Sequence, residues 1–430
     1  MGTQTQRDYW LLSGALFTFF LTWSFAFSLF PIWLNQAIGL TGESTGIVFS
    51  INALAALLIQ PSYGFIQDKL GLKKHLLYIT AAFLILSGPF FVFIYGPLLA
   101  FNLTLGAAVG GVYFGLAFSA GVGTLESYTE RVSRVVGFEF GKARLWGSLG
   151  WAAATFCAGY LFNKNPNINF WMASLSAMAF LILLLLVHPA NTPEQEQQID
   201  QKASTLNISD ALSLFTNRQF WAFAIFVMGV SSIYTTYDQQ FPVYFSSLFP
   251  SKAEGNAMYG YLNSFQVFLE AGGMFLAPFI VNRIGAKNGL VLAGVIMATR
   301  MIGSGFAEGP IGISCVKLLH AAELPIMLVS VFKYISVTFD ARLSATLYLI
   351  GFQFVTQISA SVFSIIAGGM YDRLGFADSY IILGTIVASF VIVCHFILTC
   401  DRQTVASKGM GETDSDYQDA FHTPAAKELT

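Results

Sequence analysis

Lys317, His320 and Glu323 recur every three residues within the apolar stretch Val316-Lys317-Leu318-Leu319-His320-Ala321-Ala322-Glu323-Leu324-Pro325. That spacing sets a cation, an imidazole and a carboxylate along one face of a helix. At the centre of a membrane helix, each ionisable side chain costs about 2.5–3.5 kcal/mol on insertion scales. A stripe of three is therefore expected to face a polar cavity, where it holds a proton, an ion or a solute. Glu126, Arg144, Asp238, Glu270 and Arg300 also lie inside apolar segments. Together the four carboxylates and three fixed cations leave one excess negative charge, which one bound proton would balance. Burial favours that proton, because it disfavours the ionised form of an acid. For any single charge, a packing ion pair or a side chain reaching out to water explains as much. Seven in one apolar chain point instead to a coupled transporter.

The elements that must carry these groups are membrane helices. Of 430 residues, 55% are hydrophobic and 11% charged, against roughly 25% charged in soluble domains. The fold class is all-α and the chain crosses a bilayer many times. Runs of about 20 apolar residues predict twelve spans, near 10–34, 43–67, 75–97, 101–126, 140–163, 167–187, 219–245, 256–280, 288–307, 311–337, 342–370 and 377–399. The first run is too long for a signal-peptide core and reads as a retained helix. A hydrophilic stretch divides six spans from six. It gives an N-terminal six-helix bundle over 1–188, a linker over 189–218, a C-terminal six-helix bundle over 219–400 and a disordered tail over 401–430.

Lys69, Lys73 and Lys74, Arg131 with Arg134, Arg283 with Lys287, and Lys333 with Arg342 fall in alternate loops. The positive-inside rule then places both termini in the cytoplasm. A net charge of −2 without a basic domain speaks against nucleic acid. Cys157, Cys315, Cys394 and Cys400 fit neither a zinc site nor a disulfide framework, and no nucleophile–base arrangement suggests an enzyme. The run from Gly106 to Gly115 is expected to serve close helix packing, since no strand precedes it as a nucleotide loop would require.

The segment Gly64-Phe-Ile-Gln-Asp68-Lys69-Leu-Gly71-Leu-Lys73-Lys74 resembles the Gly-x-x-x-Asp-Arg/Lys-x-Gly-x-Arg/Lys loop of the major facilitator superfamily. Val281-Asn-Arg283-Ile-Gly285-Ala-Lys287 is a weaker echo in the matching loop of the second half. The resemblance implies a major facilitator fold of twelve transmembrane helices, with Gly64, Asp68, Lys69 and Gly71 in a conformational loop. Such folds bind substrate near the midplane between the halves, which rock to alternate access.

Phe30-Pro-Ile-Trp-Leu34, Phe138-Glu-Phe-Gly-Lys-Ala-Arg144, Asp238-Gln-Gln, the Lys317–Glu323 stretch and Leu343-Ser-Ala-Thr are similar to the oligosaccharide:proton symporters. The similarity spares only the linker and tail. It implies sugar binding by Glu126, Arg144, Trp151, Glu270, His320 and Gln353, with the Trp151 ring as a platform for a pyranose. It implies proton coupling by Glu323, Arg300, His320 and Tyr234, and a charge pair between Asp238 and Lys317. Lactose-carrying members have an ion pair at the positions of Thr235 and Thr356, a glutamate at Val267 and an asparagine at Glu270. The segment around Val267 and Glu270, like Gly351-Phe-Gln353, is closer to sucrose-carrying members, whereas Trp151 is closer to galactoside carriers. The expected function is proton-coupled import of a disaccharide, sucrose first, across a bacterial inner membrane. The alternatives are a galactoside symporter and a non-transporting sugar sensor. The expected chain works as a monomer in lipid, with no cofactor or metal beyond the transported proton.

Overall fold

A computed structural model describes residues 3–70, 72–187, 214–339 and 347–400. Gly71, most of the central linker, Arg342, the 401–430 tail and the side chain of Asp68 lie outside the described residues. The described chain is helical, in twelve long segments. We number them α1 (Thr5–Ile38), α2 (Gly42–Leu70), α3 (His75–Ile85 with Ser87–Phe101, bent by 45°), α4 (Leu103–Val136), α5 (Phe140–Lys164) and α6 (Ile168–Leu186). After the linker come α7 (Arg218–Ser247), α8 (Lys252–Ile284), α9 (Ala286–Phe306), α10 (Gly309–Thr338), α11 (Tyr348–Leu374) and α12 (Phe376–Ile397).

Eleven of these are long and apolar enough to cross a membrane, counting the bent α3 as one. The exception is α5, in which four glycines, two tryptophans and Ser148 dilute the apolar residues. Large apolar side chains such as Phe101, Phe279 and Phe396 lie exposed on the outer surface, as expected where lipid replaces water. Basic residues near the termini end also cap helices. Lys74 Nζ donates to the Leu184 and Val187 carbonyls at the end of α6, at 2.7 and 2.6 Å, and Lys333 Nζ to the Val281 carbonyl of α8 at 3.3 Å. Each places a cation in the last turn of a helix, where it meets the negative end of the dipole.

The first six helices meet the second six along two seams at the end opposite the termini, α2 against α11 and α5 against α8. Glycine sets the approach. A Cβ on Gly46 would strike the Ser364 carbonyl, one on Gly368 the Gly42 carbonyl, and one on Gly159 the Asn256 carbonyl. Beside the second seam, Asn256 bonds with Gln36 at 3.0 and 3.1 Å and donates to Asn163 Oδ1 at 3.1 Å. Toward the termini, a Cβ on Gly64 of α2 would meet no atom of a neighbouring helix within 4 Å. The molecule is thus closed at the end opposite the termini.

Gly46→Phe should wedge α2 from α11 and open that end. Spin labels at Asn165 after α5 and Lys252 of α8, on either side of the second seam at the same end, should then report a shift to longer distances. An unchanged distribution would mean that the helices repack around the ring.

Candidate functional site

Between the two sets of helices lies a cavity of about 390 Å³. Arg144, Ser148 and Trp151 line it from α5, Asp238 and Gln239 from α7, Asn263, Gln266 and Glu270 from α8, and Lys317 and His320 from α10, with aromatic walls from α1 and α2. Helical spacing explains the convergence: Arg144, Ser148 and Trp151 share one face of α5, and Asn263, Gln266 and Glu270 share one face of α8. Val267 also lines this cavity, an apolar side chain beside Gln266. Trp151 meets Trp23 edge to face, with centroids 5.8 Å apart. The Arg144 guanidinium lies 4.2 Å from the Phe20 ring centroid.

Arg144 Nε donates to Glu126 Oε1 at 2.5 Å, and both side chains remain one-third exposed. Glu126 itself faces a second cavity of about 330 Å³ between α2, α4 and α11. Gln353 lies there too, donating to Tyr348 Oη at 3.2 Å. The predicted sugar-binding set is therefore split. Arg144, Trp151, Glu270 and His320 share the central cavity, while Glu126 and Gln353 face the neighbouring one, and the Glu126–Arg144 pair joins the two.

Behind the central cavity, Arg300 is fully buried. Its Nη1 donates to Glu323 Oε1 at 2.5 Å and to Tyr234 Oη, and its Nη2 donates to Asp238 Oδ1 at 2.6 Å. Lys317 Nζ donates to the same Asp238 oxygen at 2.9 Å. The predicted pairs Glu323–Arg300 and Asp238–Lys317 are thus parts of one network, which sequence spacing does not disclose. The Arg300 guanidinium also lies about 5 Å from the rings of Tyr234 and Tyr237, where the ring faces favour a cation.

His320 joins this network to the cavity. Its Nδ1 bonds Tyr234 Oη and lies 3.0 Å from Glu323 Oε1, while its Nε2 points to Glu270 Oε2 at 3.9 Å. Nδ1 also lies 3.0 Å from Arg300 Nη1, so the ring tautomer decides which of Tyr234, Arg300 and Glu323 it bonds. Glu323 Oε2 is buried without a partner.

The predicted stripe is not one regular helix. α10 is interrupted at Leu319, between Gly309–Leu318 and His320–Thr338. Pro325, which has no N–H to give the Ala321 carbonyl, sits in the turn that follows. The break leaves Lys317 facing Asp238 while His320 and Glu323 face Arg300 and Tyr234. Sequence reasoning assigns no role to Asn263, Gln266, Gln239 or Phe20. Only the steps of three and four residues along Asn263, Gln266 and Glu270 mark the two amides on α8.

A family model described as LacY proton/sugar symporter matches residues 1–409. The melibiose permease of Enterobacter cloacae subsp. cloacae is 43% identical over 414 residues, covering 95% of this chain and 97% of that one. The sucrose permease of Escherichia coli is 41% identical over 398 residues, covering 92% and 95%. Among solved structures, the nucleoside transporter NupG matches with a TM-score of 0.73 at 18% identity, over 91% of this chain and 98% of that one, a likeness in the major facilitator fold alone. These relatives are carriers rather than enzymes, and the chain belongs to the LacY proton/sugar symporter family.

Proposed function

We propose that this chain carries a disaccharide, sucrose first, together with a proton into the cell across a bacterial inner membrane, with both termini in the cytoplasm. The observation that supports coupling is the place of His320. One ring nitrogen belongs to the buried Arg300–Glu323–Tyr234 cluster and the other points toward Glu270 in the cavity. A sugar hydroxyl bonding on the cavity side would change the hydrogen bonding that holds the Glu323 proton. In this reading Glu323 carries the proton, Arg300 and Tyr234 set its release, and Asp238–Lys317 neutralises the cavity wall. Arg144 presents a rigid donor fork to sugar hydroxyls, and Trp151 offers a flat apolar face.

A volume of about 390 Å³ lies at the small end of ligand sites, which span roughly 300–1,000 Å³, and suits one or two sugar rings. Sucrose is favoured by Val267 and Glu270 on the cavity wall, which leave no glutamate at the first position to grip a galactoside. A galactoside symporter is the second reading, favoured by Trp151 and by the 43% identity to a melibiose permease. Uptake of labelled sucrose in cells lacking other sugar permeases tests the choice, with melibiose, lactose, raffinose and maltose as competitors. Protonophore-sensitive sucrose accumulation with weak galactoside competition is expected. Galactoside accumulation without sucrose uptake would overturn the sucrose assignment and leave the symporter standing.

A further inference from the structure

Asp238 is followed by Gln239 and Gln240, whose amides point away from the charge cluster. Gln239 Oε1 accepts from Ser364 Oγ of α11 at 2.8 Å. Gln240, 3% exposed, donates from Nε2 to the Gly42 carbonyl at 2.9 Å. Gly42 is the first residue of α2. The Gly42 N–H donates to Asp372 Oδ1, and the Glu43 N–H to Asp372 Oδ2, both at 2.8 Å. Asp372 stands near the end of α11. The first turn of α2 is therefore held by two side chains from the second six helices. Gln240 takes its carbonyl, and Asp372 takes two N–H groups that the helix itself leaves unpaired. A carboxylate at that position also meets the positive end of the helix dipole.

These bonds require the seam to be shut. A Cβ on Gly42 would come within 2.8 Å of both Asp372 Oδ1 and the Gly368 carbonyl, so separation of α2 from α11 breaks them together. The end of α11 also reads Gly368-Gly-Met-Tyr-Asp372-Arg373-Leu-Gly375, the same residue types at the same spacing as Gly64-Phe-Ile-Gln-Asp68-Lys69-Leu-Gly71 at the end of α2. The two copies sit at opposite ends of neighbouring helices.

We propose that Gln240 and Asp372 clamp the first turn of α2 and hold the transporter closed at the end opposite the termini. Gln239 and Gln240 tie the clamp to the charge cluster, because they directly follow Asp238 on α7. A rearrangement around Asp238 shifts this turn of α7 and loosens both amide contacts. The proposal rests on transport by alternating access and is independent of which sugar is carried.

Ser28 lines the central cavity and is 6% exposed, so a cysteine there reports access from the closed end. With the four native cysteines replaced by serine, Ser28→Cys is labelled by a membrane-impermeant maleimide in vesicles whose outer face is the one opposite the termini. Asp372→Ala and Gln240→Ala should each accelerate labelling by about tenfold or more, since each removes hydrogen bonds made in the closed state only. Asp372→Glu should restore part of the slow rate. Gly46→Phe serves as the positive control, because it holds the seam apart whether or not a clamp exists, and sugar binding by each variant shows that it is folded. Acceleration by Gly46→Phe with no change from Asp372→Ala would overturn the clamp. Acceleration by Asp372→Ala but not by Gln240→Ala would overturn the link to α7. Vesicles of the parent protein that exchange no sugar at all would count against transport itself, while the labelling rates would still report on the clamp.

Discussion

Glu323→Gln should abolish uphill sugar accumulation while leaving exchange of internal for external sugar close to the parent rate. Glu323 is fully buried, its Oε1 is bonded to Arg300 at 2.5 Å, and its Oε2 has no partner. Glutamine keeps an acceptor for Arg300 and replaces the acid O–H by N–H donors, so it mimics the protonated side chain. Exchange needs only that the loaded carrier turn from one face to the other. Accumulation needs the empty carrier to return without its proton, which a glutamine cannot release. The contrast is large because a single step is blocked completely and another is spared. Counterflow and protonophore-sensitive uptake, measured in the same vesicles, check it. Loss of both activities at normal expression would assign Glu323 a structural role instead.

Arg144→Ala should act on the other side of the cycle and remove sugar binding itself. Hydrogen bonds to charged groups contribute about 1.5–3 kcal/mol each. Two from one guanidinium fork would weaken binding by roughly 10²–10⁴-fold when both are lost. The substitution also leaves Glu126 without the partner it holds at 2.5 Å. Arg144→Lys should recover little, because an ammonium keeps the charge but not the planar fork. Equilibrium binding of labelled sugar to purified protein is the direct readout. Near-parent affinity in Arg144→Ala would remove Arg144 from the sugar site.

Both predictions concern residues that stood out in the sequence, for the same reason. A charge inside an apolar run is costly enough to need a purpose, so Arg144, Asp238, Arg300, Lys317 and Glu323 were legible before any packing was known. The helices themselves were legible from apolar run length, with shifts at the ends such as α1 reaching Ile38. What sequence could not supply was relative position across helices. Arg300 and Asp238 lie on α9 and α7, and only packing lets one guanidinium bridge Asp238 and Glu323. Gln353 looked like a neighbour of the sugar site, yet its helix carries it into the second cavity. The break at Leu319 was hidden because an unbroken helix and an interrupted one share the same three-residue spacing. Gln240 and Asp372 were hidden for a different reason: both bond backbone groups of α2, and a backbone partner leaves no mark in a sequence.

Movement of sugar and proton together through the Glu323 cluster, as proposed, would register on a pH electrode. Sugar is added to lightly buffered, de-energised cells containing the chain, and external pH is followed. Immediate alkalinisation is expected as protons enter with sugar, abolished by protonophore and absent in Glu323→Gln although that variant still exchanges sugar. Sugar entry with no pH change in the parent protein would contradict it, as would undiminished proton entry in Glu323→Gln.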